Sequence, residues 1–306
     1  MKNDFLDQSI IIFNNYTTMI SKQSIPELIS RSYTMADLPK DIITIFKNLT
    51  ETIYHDILTK PGEIINFHHE SPVEGFKQRK NQQGTNTAMV WILPVAGNGS
   101  YHLWQNDPTF LAIKDYITQS LDTICDRENV SSQRMKFIAI NYYPPQDIFD
   151  ASNPIFPYHT DFGYINCLLS NGPTMILDPS DKCWKEINLG NRMMFQVGGS
   201  LQATNGTYSA IPHGVGRSPV IVQETNLGKI SIVGVTDPLG QITLQCGSNS
   251  INIDGMEMIG IRFRGMYGEY LEFAQEKVGY NYEQWLYEKE LYETYLQLLN
   301  DFPRPN

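Results

Sequence analysis

The sequence predicts a mainly β protein with helical cover, an α+β arrangement in which a double-stranded β-helix, or jelly roll, is flanked by N- and C-terminal helices. Three observations carry this expectation. Short apolar runs follow one another at 137–142, 164–169, 174–178, 193–197, 219–223, 229–235, 241–246 and 261–263. Turns rich in Gly, Pro and Asn separate them, as in a double sheet closed around a small interior. Helical periodicity brackets the block on both sides.

The elements follow in order. Across 37–59, Ile42, Ile45, Phe46, Leu49, Ile53 and Ile57 recur at helical spacing, and Asp37 is placed to cap them. Ala88 to Val95 reads as a strand. Asp107-Pro108 starts a second helix, with Asp as cap and Pro in the first turn, where a missing amide donor costs nothing. Its stripe of Phe110, Ile113, Ile117, Leu121 and Ile124 is a core face. The run Ile138-Ala139-Ile140-Asn141-Tyr142-Tyr143 is a strand that stops at Pro144-Pro145. Phe195 to Val197 gives way to a Gly-Gly turn, and Asn205-Gly206 turns the chain again before His213. A last helix spans 280–302, with Asn281 as cap and Trp285, Leu286, Leu291, Tyr292, Tyr295, Leu298 and Leu299 as apolar positions. One domain is expected over 1–306: a helix-rich region at 1–135, the jelly-roll core at 136–264 and C-terminal helices at 265–306.

Composition narrows the function. A chain of 306 residues, 41% hydrophobic, can bury a sizeable core. Acidic residues outnumber basic ones by 33 to 23, and the net charge of −10 argues against a nucleic-acid groove or an anionic membrane partner. The short Lys77-Gln78-Arg79-Lys80 run reads as a solvated loop. Ile10 to Phe13 is too short for a signal core or a membrane span. Cys125, Cys167, Cys183 and Cys246 form no C-x-x-C spacing and read as reduced thiols in a cytoplasmic protein.

His159-Thr160-Asp161 and the distant His213 carry the chemistry. On an extended segment, side chains at i and i+2 point the same way, so His159 and Asp161 can grip one ion from one strand. A third ligand then comes from another strand. Two imidazoles and one carboxylate are the donor set for non-haem Fe(II), with the opposite face left open. His68-His69 point oppositely on an extended segment and make a poor pair. They read as surface or substrate-loop residues, and His55 and His102 are given no functional role. Cys167 shares the parity of His159 and Asp161, so an unbroken strand would point it into the barrel, where it serves as a core filler.

These motifs resemble the isopenicillin N synthase-like branch of the Fe(II)/2-oxoglutarate-dependent dioxygenases. The resemblance rests on Asn141-Tyr142-Tyr143-Pro144-Pro145, on His159-Thr160-Asp161, on Trp184-Lys185-Glu186-Ile187, on Gly199-Ser200-Leu201-Gln202 with Asn205-Gly206-Thr207-Tyr208, and on His213. It implies Fe(II) on His159, Asp161 and His213, with 2-oxoglutarate as co-substrate and O2 as oxidant. Asn141 and Tyr143 are expected near the 2-oxoglutarate site. The family's Arg-x-Ser, which holds the far carboxylate, is matched here by Lys229-Ile230-Ser231, with Lys for Arg. Arg217, about 13 Å beyond His213 on a straight strand, is the alternative anchor. Lysine is a point charge and not a planar fork, so an oxidase of the isopenicillin N synthase kind, which uses O2 without 2-oxoglutarate, stays open. The implied reaction is hydroxylation, desaturation or cyclisation of a small-molecule substrate. Phe156, Tyr158 and Phe162 flank the metal motif as candidate pocket residues.

Overall fold

The computed structural model describes residues 31–61, 75–80, 86–94, 104–145, 156–215, 227–246 and 249–255, except 105, 133 and 162, together with Leu28. The expected strands at 219–223 and 261–263 and the helix at 280–302 lie outside these residues. So do Arg217, Phe162, His68, His69 and His102.

The elements are β1 (Tyr33–Asp37), α1 (Lys40–Thr59), β2 (Gly75–Lys80), β3 (Asn86–Pro94), α2 (Pro108–Arg127), β4 (Arg134–Tyr143), β5 (Phe156–His159), β6 (Ile165–Ser170), β7 (Thr174–Leu177) and β8 (Trp184–Ile187). After them come β9 (Arg192–Val197), α3 (Gly199–Thr204), β10 (His213–Val215), β11 (Lys229–Pro238), β12 (Gln241–Cys246) and β13 (Asn249–Asp254). Seven strands form the larger sheet in the order β1-β9-β6-β11-β4-β3-β2, and four form the smaller in the order β5-β10-β7-β8. β12 and β13 pair as a separate hairpin.

Period-two alternation explains the layering. On the larger sheet, Ile138, Ile140 and Tyr142 of β4, Cys167 and Leu169 of β6, Phe195 of β9, and Ile230 and Ile232 of β11 join one core. The apolar stripes of α1 and α2 cover that face: Ile42, Leu49 and Ile53 from one helix, Phe110, Ile113, Ile117, Leu121 and Ile124 from the other. Residues of the opposite parity look across the sandwich, where Leu168 and Met194 pack against Ile176 and Ile211. α2 lies flush on β11 because residue 234 is Gly, whose added Cβ would fall 2.3 Å from Cγ2 of Ile117.

Several expectations change. Asp107 caps α2 as expected, accepting from the amides of Thr109 and Phe110 at 2.8 and 3.0 Å. Asp37 caps nothing: it ends β1 opposite Arg192, and α1 begins at Lys40 with no side-chain cap. Lys77 to Lys80 is no loop but part of β2, paired with β3. Besides the expected strand at 88–95, which is β3, the region before 136 also supplies β1 and β2 to the larger sheet. The Gly-Gly segment opens a six-residue helix, α3. Cys167 is buried against the helices, not inside the barrel, because the chain bends at Gly163 and Tyr164 and the alternation restarts at Ile165. No helix among the described residues is long and apolar enough to cross a membrane.

Candidate metal centre

β5 and β10 pair antiparallel with His159 directly opposite His213. Both imidazoles therefore leave the same face of the smaller sheet, with ring centroids 4.5 Å apart. Asp161 comes up beside them. Its Oδ1 lies 3.4 Å from Nε2 of His159 and its Oδ2 3.5 Å from Nε2 of His213. Ligand atoms of these three residues all lie within 4.8 Å of one another, and among the described residues no other group meets that test.

The backbone fixes the arrangement. The Asp161 carbonyl accepts the first amide of α3, from Gly199, at 2.6 Å. Gly198 donates to the Tyr164 carbonyl at 3.0 Å, and Tyr164 to that of Thr236 at 2.7 Å. This approach needs glycine on both sides: a Cβ on Gly198 would fall 2.1 Å from the Gly163 carbonyl oxygen. His213 is reached through the Gln202 and Tyr208 motif. Gln202 accepts from the Ala210 amide at 2.6 Å, Ile211 donates to Val197 at 3.2 Å, and the Tyr208 hydroxyl donates to buried Glu128.

The donor set fits a divalent transition metal. Donors at right angles, each about 2.1 Å from an octahedral ion, stand about 3 Å apart, close to the observed spacing. His213 Nδ1 sits 3.1 Å from the Ile211 carbonyl, which leaves Nε2 as the metal-facing nitrogen. Burial lowers the pKa of His213, against the pull of Asp161, and favours the neutral imidazole that a metal needs. Burial opposes charge on Asp161, but His213 and His159 outweigh it and hold the carboxyl well below the usual carboxylate range.

Along β4 and β11 the other expected residues come together. Lys229 pairs with Tyr143 and Ser231 with Asn141, so all four share the inner face of the larger sheet. Lys229 is 1% exposed. Its Nζ donates to the Pro173 carbonyl at 2.5 Å and stands 5.4 Å from the Tyr143 ring centroid. No carboxylate among the described residues lies in salt-bridge range. Burial pushes the Lys229 ammonium down to about 7, with slight relief from Glu186. Ser231 Oγ lies 2.9 Å from Ser170 Oγ. Tyr158 points away from the histidines, with its ring 4.4 Å from that of Trp184. Phe156 belongs to β5.

Two residues near the site were missed by sequence reasoning. Asn166 and Gln196 are buried at 0% and 1% exposure and are cross-strand partners on the inner face. The available signal was an amide side chain flanked on its strand by apolar residues, Ile165 and Cys167 around Asn166, Phe195 and Val197 around Gln196.

No family model matches the sequence, and no curated protein does. Solved structures match in fold. A full-length Neurospora crassa protein, in complex with α-ketoglutarate and thymine, superposes with a TM-score of 0.57 at 13% identity, over 87% of this chain and 93% of that one. A 2OG-Fe(II) oxygenase family protein from Caulobacter crescentus gives 0.57 at 14% identity, over 83% and 95%. The rice dioxygenase for auxin oxidation gives 0.53 at 13% identity, over 88% and 90%. The fold is therefore the double-stranded β-helix shared with 2OG-Fe(II) oxygenases.

Proposed function

We propose that this chain is a non-haem Fe(II) oxygenase that couples 2-oxoglutarate decarboxylation to hydroxylation, desaturation or cyclisation of a small-molecule substrate. The observation that carries the reading is the convergence of His159, Asp161 and His213 on one point, in a barrel that also buries the Lys229 cation without a carboxylate partner among the described residues. Fe(II) held there, with O2 and 2-oxoglutarate, would supply the oxidising power to break a C–H bond.

The protein's residues do the rest. His159 and His213 would present imidazole nitrogens to the metal, and Asp161 would balance part of its charge. Lys229, aided by Ser231, meets the far carboxylate of 2-oxoglutarate, which restores a charge that burial disfavours. Asn141 and Tyr143, one strand over, line the same site. Arg217 is the rival anchor, and Phe156 and Phe162 are candidates for the substrate wall. Structural neighbours are described with thymine, with auxin oxidation and with the ligand abbreviated JA, which supports a small, partly polar substrate. Free Cys125 and Cys167 suit a reducing, cytoplasmic setting.

One observation favours an oxidase that uses no 2-oxoglutarate: the lysine already spends one donor on Pro173 and lacks the fork of an arginine. Anaerobic optical titration with Fe(II) and then 2-oxoglutarate separates the two. A saturable visible charge-transfer band, absent in His213→Ala, is the expected result. Iron binding without the band points to the oxidase, and no iron binding overturns both.

A further inference from the structure

The structure assigns Asn166 and Gln196 as positioning residues that orient the Asp161 carboxylate through a chain of side-chain amides. This rests on the metal reading above. Asn166 Nδ2 and Oδ1 and Gln196 Nε2 are all buried and complete no hydrogen bond. Such orphans are rare in a folded interior and call for an explanation. Their chemistry is complementary: one free acceptor and two free donors.

Geometry brings the three together. Asn166 and Gln196 face each other across β6 and β9, and facing Cβ atoms in such pairs lie about 5 Å apart. The Asn166 side chain also lies within hydrogen-bonding reach of the Asp161 carboxylate. Gly163, two residues past Asp161, leaves the space that the Asn166 amide fills: a Cβ there would fall 2.5 Å from Asn166 Oδ1. In the metal-free arrangement the two Asp161 oxygens are shared between His159 and His213. A metal needs only one of them. The released oxygen then accepts from Asn166 Nδ2, and Asn166 Oδ1 accepts from Gln196 Nε2. All three orphan atoms would then have partners in the metal-bound form.

The consequence has opposite signs in two measurements. Asn166→Leu keeps the shape but removes the donor, and Gln196→Met removes the donor that orients Asn166. Each variant should hold or raise the melting temperature of the metal-free protein, because orphan groups disappear. Each should weaken Mn(II) or Co(II) affinity by about 10- to 100-fold, the usual effect of removing a hydrogen bond to a metal ligand. Calorimetric metal titration and the visible Co(II) spectrum read the second effect without turnover. Unchanged metal affinity in either folded variant overturns the inference, as does a fall in metal-free stability with affinity intact. If Asn166→Leu does not fold, Gln196→Met decides. A wild type that binds no metal would sink the metal reading itself, a different result from a wild type that binds and a variant that binds equally well.

Discussion

Raising the pH above 7 should loosen 2-oxoglutarate binding, and Lys229 sets the size of the effect. Burial brings its ammonium from 10.5 down to about 7. About half the free protein then carries the proton at pH 7, and about one molecule in a hundred at pH 9. If the bound co-substrate keeps the lysine charged, the apparent Kd rises about fiftyfold over that interval, roughly 2.3 kcal/mol. Binding at pH 9 must then take up close to one proton. Calorimetry of the Mn(II)-loaded protein, in two buffers of different ionisation enthalpy, reads both quantities. A flat Kd from pH 6.5 to 9 with no proton uptake would refute the reasoning and point to Arg217 as anchor. Unliganded stability obeys the same linkage. Between pH 7 and 10.5 the unfolded chain binds a proton that the folded chain lacks, so stability rises with pH through that window and the cost is full below 7. The fall from 10.5 to about 7 corresponds to at most about 5 kcal/mol. Lys229→Met should therefore stabilise the unliganded protein near neutral pH, while costing about 2–5 kcal/mol of 2-oxoglutarate binding.

Three further outcomes are expected. Gly198→Ala should lower both metal affinity and melting temperature, because the added Cβ pushes the Asp161 loop away from α3; thermal melts with and without Mn(II) will show it. Tyr208→Phe should cost about 1–3 kcal/mol in urea unfolding, since it leaves the buried Glu128 carboxyl without its phenol. Asp107→Ala should cost about 1 kcal/mol and leave metal binding untouched, because it removes only the cap of α2.

Much of this was legible where a local rule decides. The Asp107 cap and the stripes of both helices follow from spacing alone. The cluster of His159, Asp161 and His213 was legible from residue type and spacing, although not for the reason of strand parity: β5 ends at His159, and Asp161 follows in the turn toward β6. The parity rule also misled at Cys167, because it assumes an unbroken strand and Gly163 breaks it. Asp37 was misplaced for another reason: β1 exists only through its pairing with β9, a partner far along the chain. β10 spans three residues, too few to show a period. β13 is rich in Asn, Ser and Asp, which read as turn residues, and its pairing with β12 overrides that preference. The pairing of Lys229 with Tyr143 could not be read locally either, since register is set by the whole sheet.

The joining of β1, β2 and β3 to the larger sheet bears on how the chain can be cut. Removing everything before residue 134 would take β3 from β4 and α1 and α2 from the apolar face behind it. The ten-residue edge from Arg134 to Tyr143 would then offer its free amides and carbonyls to any passing chain. Long, flat, apolar edges of this kind seed edge-to-edge aggregation. The helices and first strands thus act as a guard on the barrel's open flank, and the half that carries His159, Asp161 and His213 should be soluble only in their company.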